Sequence, residues 1–504
     1  MAEKPRKNGN VSALQSFKET IESLVIAFIL AFVFRAFVVE AFIIPTGSMA
    51  DTLRGAHFRL TCPACSYQYN YGFLPEKYHW AKGYLPPRPI SIVPQRLQSG
   101  ALPICPMCGT QADISYPQRV YNGDRILVLK YIYQFTDPKT WDVVVFKNPT
   151  NPSENYIKRL IGRPGEKVEL VDGDVYINDK IQKKPDHVQQ ALWIAAFDDD
   201  YQPSLPADGR GARGFGNLPF SPVTENSAWK LDLLRHSFEF QGNQQRDSLQ
   251  FDPRHLRKIL RCFIAYNGPD VISQLPVISD LKLEFVLTPN AESGKIFLQL
   301  GKYGQVYSAM VDFDGTCSIT NETTGEMLNN GKFPPLTAQQ PVKVSFANLD
   351  HSLYLKLGSN CLRYDGPNDA AAWGYKTGQN MPLPTVALTG QNGGFTLEHI
   401  ALYRDIHYVN TQNGYQGLAT ETNPFTLDKD EFFVLGDNSP QSLDSRFWSA
   451  AGLGNGHKSY RQGTLPRDYL IGQALFVYWP AGYPIHRRFP LALIPNVGEM
   501  RFIH

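Results

Sequence analysis

From Ser23 to Phe34 the chain carries no charged residue, and apolar character resumes beyond Arg35 through Val39 and again at Phe42, Ile43 and Ile44. Few environments can house such a stretch. A spanning helix needs about 20 mostly apolar residues, which residues 23–44 supply. Arg35 stands near the far end, where a long side chain reaches the headgroups. Lys4, Arg6, Lys7 and Lys18 precede the stretch, and a basic flank stays on the cytoplasmic side. The expectation is a cytoplasmic tail over 1–22, a single-pass transmembrane helix over 23–44, and everything later on the outer face. A cleavable secretory leader has a similar start, with Val39 and Ala41 as its small-residue site. A buried core helix is the third reading.

At 504 residues the chain exceeds one ordinary domain, so two or three folded units are expected. With 43% hydrophobic and 19% charged residues it can pack cores and is not a long disordered chain. Its 25 tyrosines and 30 phenylalanines favour strands. A formal net charge of +2 argues against a polyanionic partner, so no nucleic acid is expected.

Three short segments carry the chemistry. In Ile44-Pro45-Thr46-Gly47-Ser48-Met49-Ala50-Asp51-Thr52-Leu53, Pro45 and Gly47 bracket a tight turn that presents Ser48. Alone, this is most simply an ordinary loop serine. In Tyr156-Ile157-Lys158-Arg159-Leu160-Ile161-Gly162-Arg163-Pro164-Gly165-Glu166, apolar and polar residues alternate as in a half-buried strand that turns at Pro164-Gly165. Lys158 lies within it, and the plain alternative is a solvated lysine on an edge strand. In Val434-Leu435-Gly436-Asp437-Asn438-Ser439-Pro440-Gln441-Ser442-Leu443-Asp444-Ser445-Arg446, a strand ends in a Gly-Asp-Asn turn and a loop dense in hydroxyls and carboxylates.

In this order, behind an apolar segment, the three segments closely resemble signal peptidase I, the Ser/Lys peptidase family that trims leader peptides from exported proteins. Tyr121–Val128 resembles the family's intervening strand, and Trp479-Pro480 with Ile494–Gly498 resembles its C-terminal end. The resemblance covers about 1–60, 117–185 and 405–504. It implies Ser48 as nucleophile and Lys158 as general base. A lysine near pKa 10.4 is neutral in only about one molecule in a few thousand at pH 7, so Lys158 is expected to be buried among apolar groups. The resemblance further implies that Ser442 orients this lysine. Thr46, where the family commonly has Ser, lines the oxyanion hole together with the Ser48 amide. Asp444 and Arg446 form a polar framework with Arg159 as partner of Asp444, and Met49 and Tyr156 contact substrate. Ser439 stands where the family often has Arg. The implied substrates are preproteins with signal peptides, bound extended by strand addition with small residues before the cut. An apolar ring around the site would rest in membrane lipid on the outer (periplasmic) face of a bacterial inner membrane.

Two insertions interrupt this pattern. Cys62-Pro63-Ala64-Cys65 and Cys105-Pro106-Met107-Cys108 read as a zinc-ribbon-like module over 61–116, with Cys62, Cys65, Cys105 and Cys108 holding a structural zinc. Disulfides among the same thiols are the alternative in an oxidising compartment. No cofactor is expected for catalysis. Residues 186–404 begin as a linker around Pro203, Pro206, Gly209, Gly211, Gly214 and Gly216. They continue as short alternating strands that suggest a β-sandwich resembling concanavalin-like jelly rolls. With no tight pair of carboxylates as glycosidases need, this part is expected to bind a glycan or a protein, or to act as a spacer. Lys158 and Ser442 meet only if both ends of the insertion lie together.

The expected fold class is mainly β. It comprises an N-terminal transmembrane helix, a β-rich catalytic domain (45–60 with 117–185 and 405–504), a zinc-ribbon-like module and an inserted sandwich. The expected function is a membrane-bound serine endopeptidase that removes signal peptides. Two other readings compete: a membrane-anchored glycan-binding protein on an inactive peptidase scaffold, and a self-cleaving Ser/Lys repressor, which would be soluble with a DNA-binding helix pair.

Overall fold

The computed structural model describes residues 9–81, 85–93, 102–201, 219–232, 236–242, 244–254, 259–268, 275–412, 414–453, 459–483 and 494–504. Residues 1–8 of the expected tail and the linker residues Pro203 to Gly216 lie outside this set.

Helix α1 (Gly9–Phe37) leads the fold. Its described apolar side chains, among them Leu24, Val25, Ile26, Phe28, Ile29 and Leu30, are exposed. Among the described residues no helix is long and apolar enough to cross a membrane, which corrects the expected helical span over 23–44. The first half of α1 carries Lys18, Glu19 and Glu22, and the helix stops at Phe37. Val39, Phe42 and Ile43 then suit a strand. They form β1 (Val39–Ile43), which pairs antiparallel with β2 (Arg125–Lys130), Val39 opposite Leu129 and Ile43 opposite Arg125.

The sheet that organises the site continues with β3 (Val143–Asn148), β4 (Asn151–Gly162), β5 (Glu431–Leu435), β6 (Leu465–Pro466) and β7 (Leu470–Trp479). Among the described residues its spatial order is β1-β2-β7-β3-β4-β5-β6. Lys158 therefore sits on an interior strand, not on the edge that its sequence alone suggests. It lies opposite Val144 of β3, and the neighbouring Arg159 is opposite Leu435 of β5. Alternation shows in β2, where Ile126 and Val128 are buried and join Ile44, Met49, Leu53, Val143 and Val145 in one core.

Strands His57–Thr61, Gln68–Gly72 and Val120–Tyr121 form a small sheet beside the four paired cysteines. Residues 220–404 build two antiparallel sheets. Leu283 and Phe285 from one share a single core with Ile296 and Leu298 from the other. The chain enters this part through Ile194–Asp198 and leaves it through Gly393–Arg404, and these strands pair with Ile194 opposite Arg404. A long excursion thus ends beside its start. Helix Asp186–Leu192, expected within the insertion, instead buries Val188 and Leu192 in a core with Val168, Ile406 and Phe433.

Buried ion pairs cross the same seam. Lys184 Nζ lies 2.6 Å from Asp350 and 2.8 Å from Asp405. Lys302 pairs with Asp280 and lies 3.7 Å from Asp174.

Candidate active site

The Ser48 turn hangs from the end of β1 and is closed by Ala50 N donating to Gly47 O at 3.0 Å and Leu53 N to Met49 O at 2.7 Å. Interior strand β4 brings Lys158 beneath it. Lys158 Nζ donates to Ser48 Oγ at 2.7 Å and to Ile157 O at 3.0 Å. Its side chain is buried, and this desolvation pulls the amine down to about 8, against the upward pull of Asp444 and Asp437. An amine near neutrality in contact with a hydroxyl is the pairing that can take that hydroxyl's proton.

The loop after β5 holds this arrangement. Arg159, fully buried, makes a bidentate pair with Asp437 (Nε–Oδ1 2.8 Å, Nη2–Oδ2 2.7 Å) and donates to Trp141 O. This corrects the expected Arg159–Asp444 pairing. Asp444 is taken by Arg446 instead (Nε–Oδ1 2.9 Å, Nη2–Oδ2 2.7 Å) and also accepts from Gly436 N at 2.9 Å. Two buried cations on neighbouring elements thus have separate carboxylates, as charges taken out of water require. Ser439 donates no charge, but its Oγ accepts from Arg446 Nη1 at 2.8 Å and from Val409 N at 2.8 Å.

Ser442 is fully buried next to Gly436, where an added β-carbon would lie 2.1 Å from Ser442 Oγ and 2.6 Å from Ser48 O. The structure gives Ser442 Oγ no hydrogen-bond partner, so its expected bond to Lys158 is not formed. Met49 is completely buried and its sulfur accepts from Asp437 N at 3.4 Å. It therefore supports the turn from the core side, which corrects its placement among substrate contacts.

A cleft of 490 Å³ opens over the pair, lined by Thr46, Ser48, Tyr156 and Lys158 together with residues that sequence reasoning missed. Tyr71, Leu74 and Tyr78 come from the cysteine module, and Tyr266 and Asn267 from the long insertion. Nothing local in the sequence marks them, because their position depends on how the insertions fold back. Asn438 is also central, donating from N to Ser48 O at 3.0 Å and from Nδ2 to Gly47 O at 2.8 Å.

Away from the cleft, the Sγ atoms of Cys62, Cys65, Cys105 and Cys108 all lie within 4.8 Å of one another and are buried. Cys62–Cys108 and Cys65–Cys105 are 3.5 and 3.6 Å apart. Four sulfurs around a zinc at about 2.3 Å stand about 3.8 Å apart, so the donor set fits a tetrahedral metal. Of the other cysteines, Cys262 and Cys317 are buried and Cys361 is exposed.

A seryl hydroxyl held by a desolvated lysine on an interior strand is an arrangement chemically capable of nucleophilic attack. The comparisons point the same way and further. A family model described as signal peptidase, peptidase S26, matches residues 111–204 and 380–479, a region that contains Lys158 and Ser442 but not Ser48. The signal peptidase I of Rickettsia prowazekii (strain Madrid E) is 27% identical over 171 residues, 34% of this chain and 47% of that protein. That of Rickettsia canadensis (strain McKiel) is 54% identical over 44 residues, 9% of this chain and 17% of that protein. The chain spans about half the length, 47%, of the first curated relatives it matches. Among solved structures, the carbohydrate binding module CBM66 from Bacillus subtilis aligns with 36% of this chain and 94% of its own at TM-score 0.24 and 10% identity, too low to assign a fold. The family match and the relatives support a signal peptidase.

Proposed function

We propose that this chain is a serine endopeptidase that removes N-terminal signal peptides from exported preproteins, with Ser48 as nucleophile and Lys158 as general base. The observation that carries the reading is the 2.7 Å contact between Lys158 Nζ and Ser48 Oγ, made by a buried amine in an open cleft. Ser48 Oγ attacks the scissile carbonyl as Lys158 takes its proton. The same proton passes to the leaving amine, and water drawn against Lys158 then releases the acyl group. The Ser48 amide and the Thr46 hydroxyl are assigned to the oxyanion. The family resemblance assigns Ser442 to orient Lys158.

The ladder between β4 and β5 ends at Arg159, while Glu154, Asn155 and Tyr156 border the cleft. A substrate strand adds along this border. Exposed apolar residues of α1, with Leu74 and Leu443 on the cleft rim, support attachment at the outer face of a bacterial inner membrane. The four clustered cysteines support a structural zinc in a ribbon-like module, and the two sheets of residues 220–404 support a jelly-roll-like sandwich.

The test is cleavage of a preprotein with an Ala-x-Ala site by detergent-solubilised protein. Wild type is expected to process it, and Ser48→Ala and Lys158→Ala are expected to lose at least about a thousandfold in rate. Processing that persists in Lys158→Ala overturns the assigned base.

A further inference from the structure

The long insertion reaches into the nucleophile turn. Its short turn Ala265–Asn267 lies over the cleft. Tyr266 is buried, and its hydroxyl donates to Ala56 O at 2.9 Å. Its ring lies so close to the turn that a β-carbon on Gly47 would fall 2.1 Å from Cε1, and one on Gly72 2.4 Å. Tyr266 thus acts as a wedge between the Ser48 turn and the cysteine module, and the small residues at 47 and 72 make room for it.

Asn267 does something more specific. It forms a reciprocal amide pair with Asn438, each Nδ2 donating to the other's Oδ1 at 2.7 Å. The amide of Asn438 is the group that donates to Gly47 O, and its backbone N holds Ser48 O. A terminal amide can present either its oxygen or its nitrogen to a neighbour. Flipped, Asn438 would aim an oxygen at the Gly47 carbonyl, and the two acceptors would repel. The Gly47 carbonyl, an acceptor only, selects the orientation of Asn438, and Asn267, turned to match, takes up the amide's remaining donor and acceptor and braces it in place. The Gly47 and Ser48 carbonyls are therefore both held by a residue that is braced from the insertion.

We propose that Asn267 is a positioning residue for Ser48, acting through Asn438, so that the insertion between the Lys158 strand and the last loop is a working part of the active site. The inference rests on the roles given above to Ser48 and Lys158. Asn267 lines the cleft and is only partly buried, so its removal leaves the core packing in place.

The test compares kcat and KM for wild type, Asn267→Ala, Asn438→Ala and the double variant, with melting temperature measured alongside. Asn267→Ala is expected to lower kcat by about tenfold or more, as small misplacements of reacting groups do, with KM within about twofold. Because Asn267 acts through Asn438, the double variant is expected to be no slower than Asn438→Ala alone. An unchanged kcat in Asn267→Ala overturns the proposal, as do losses that multiply in the double variant. If Asn267→Ala does not fold, Asn267→Asp serves. It keeps the acceptor for Asn438 Nδ2, so a loss of kcat smaller than that of Asn438→Ala supports the clamp, and an unchanged kcat overturns it. A wild type inactive on every preprotein tried would instead sink the peptidase reading itself.

Discussion

Lys158 shows how much of a residue's chemistry lies outside its own side chain. Its ordinary pKa of 10.5 falls to about 8 because β4 places it in the interior of a sheet. Below about pH 8 the amine is protonated and cannot act as a base, so kcat/KM is expected to rise with pH through an apparent pKa near 8 and to fall away in acid. A profile flat down to pH 5 would contradict this. The sign for stability follows from the same shift. The folded state disfavours the charged amine, so the fold carries a penalty below pH 8 that is relieved as pH rises toward 10.5. Lys158→Met removes the penalty and is expected to be inactive yet about 1–3 kcal/mol more stable at pH 7 in denaturant titrations. Gly436 is constrained in the opposite way. Gly436→Ala places a methyl against Ser442 Oγ and Ser48 O, and a loss of both activity and melting temperature is expected. Ser48 and Lys158 were legible as chemistry-bearing residues from their segments. The choice of carboxylate for Arg159 was not, because Asp437 and Asp444 lie on one loop and only its path in space decides which guanidinium each meets.

At the level of elements, the apolar N-terminal stretch was legible but its conformation was only half so. Hydropathy does not distinguish helix from strand, and Val39–Ile43 left the helix because β2 offered a ladder. The sandwich strands with clear alternation, such as Leu281–Pro289, stood out in the sequence. Glu326–Lys332 did not, because Gly, Asn and charge along it conceal a strand at the edge of its sheet. The cysteine module carries a prediction of its own. It contributes Tyr71 and Tyr78 to the cleft wall, so a bound zinc would govern the shape of a site it never touches. Purified protein is expected to contain stoichiometric zinc by elemental analysis. Removing it with a strong chelator is expected to raise KM more than it lowers kcat, since Ser48 and Lys158 stand on other elements. Protein that is metal-free and retains four reactive thiols with unchanged KM would refute the role.

Across the whole molecule, the insertion is fastened at its root by Ile194 opposite Arg404 and by the buried Lys184 and Lys302 clusters. Lys302→Met leaves Asp280 and Asp174 without their cation in the interior, and a loss of about 3–5 kcal/mol is expected from thermal or denaturant unfolding. A loss under 1 kcal/mol would show that the cluster is neutralised by protonation instead. No sequence pattern announces such a seam, because its members are scattered and become neighbours only after folding. The same scatter has a consequence in time. Ser48 lies 110 positions before Lys158, and Gly47 lies 391 positions before the Asn438 that clamps it. During synthesis Ser48 emerges first, Lys158 follows well behind, and Asn438 comes much later still. A chain interrupted before Asn438 therefore lacks the group that holds the Gly47 and Ser48 carbonyls in place.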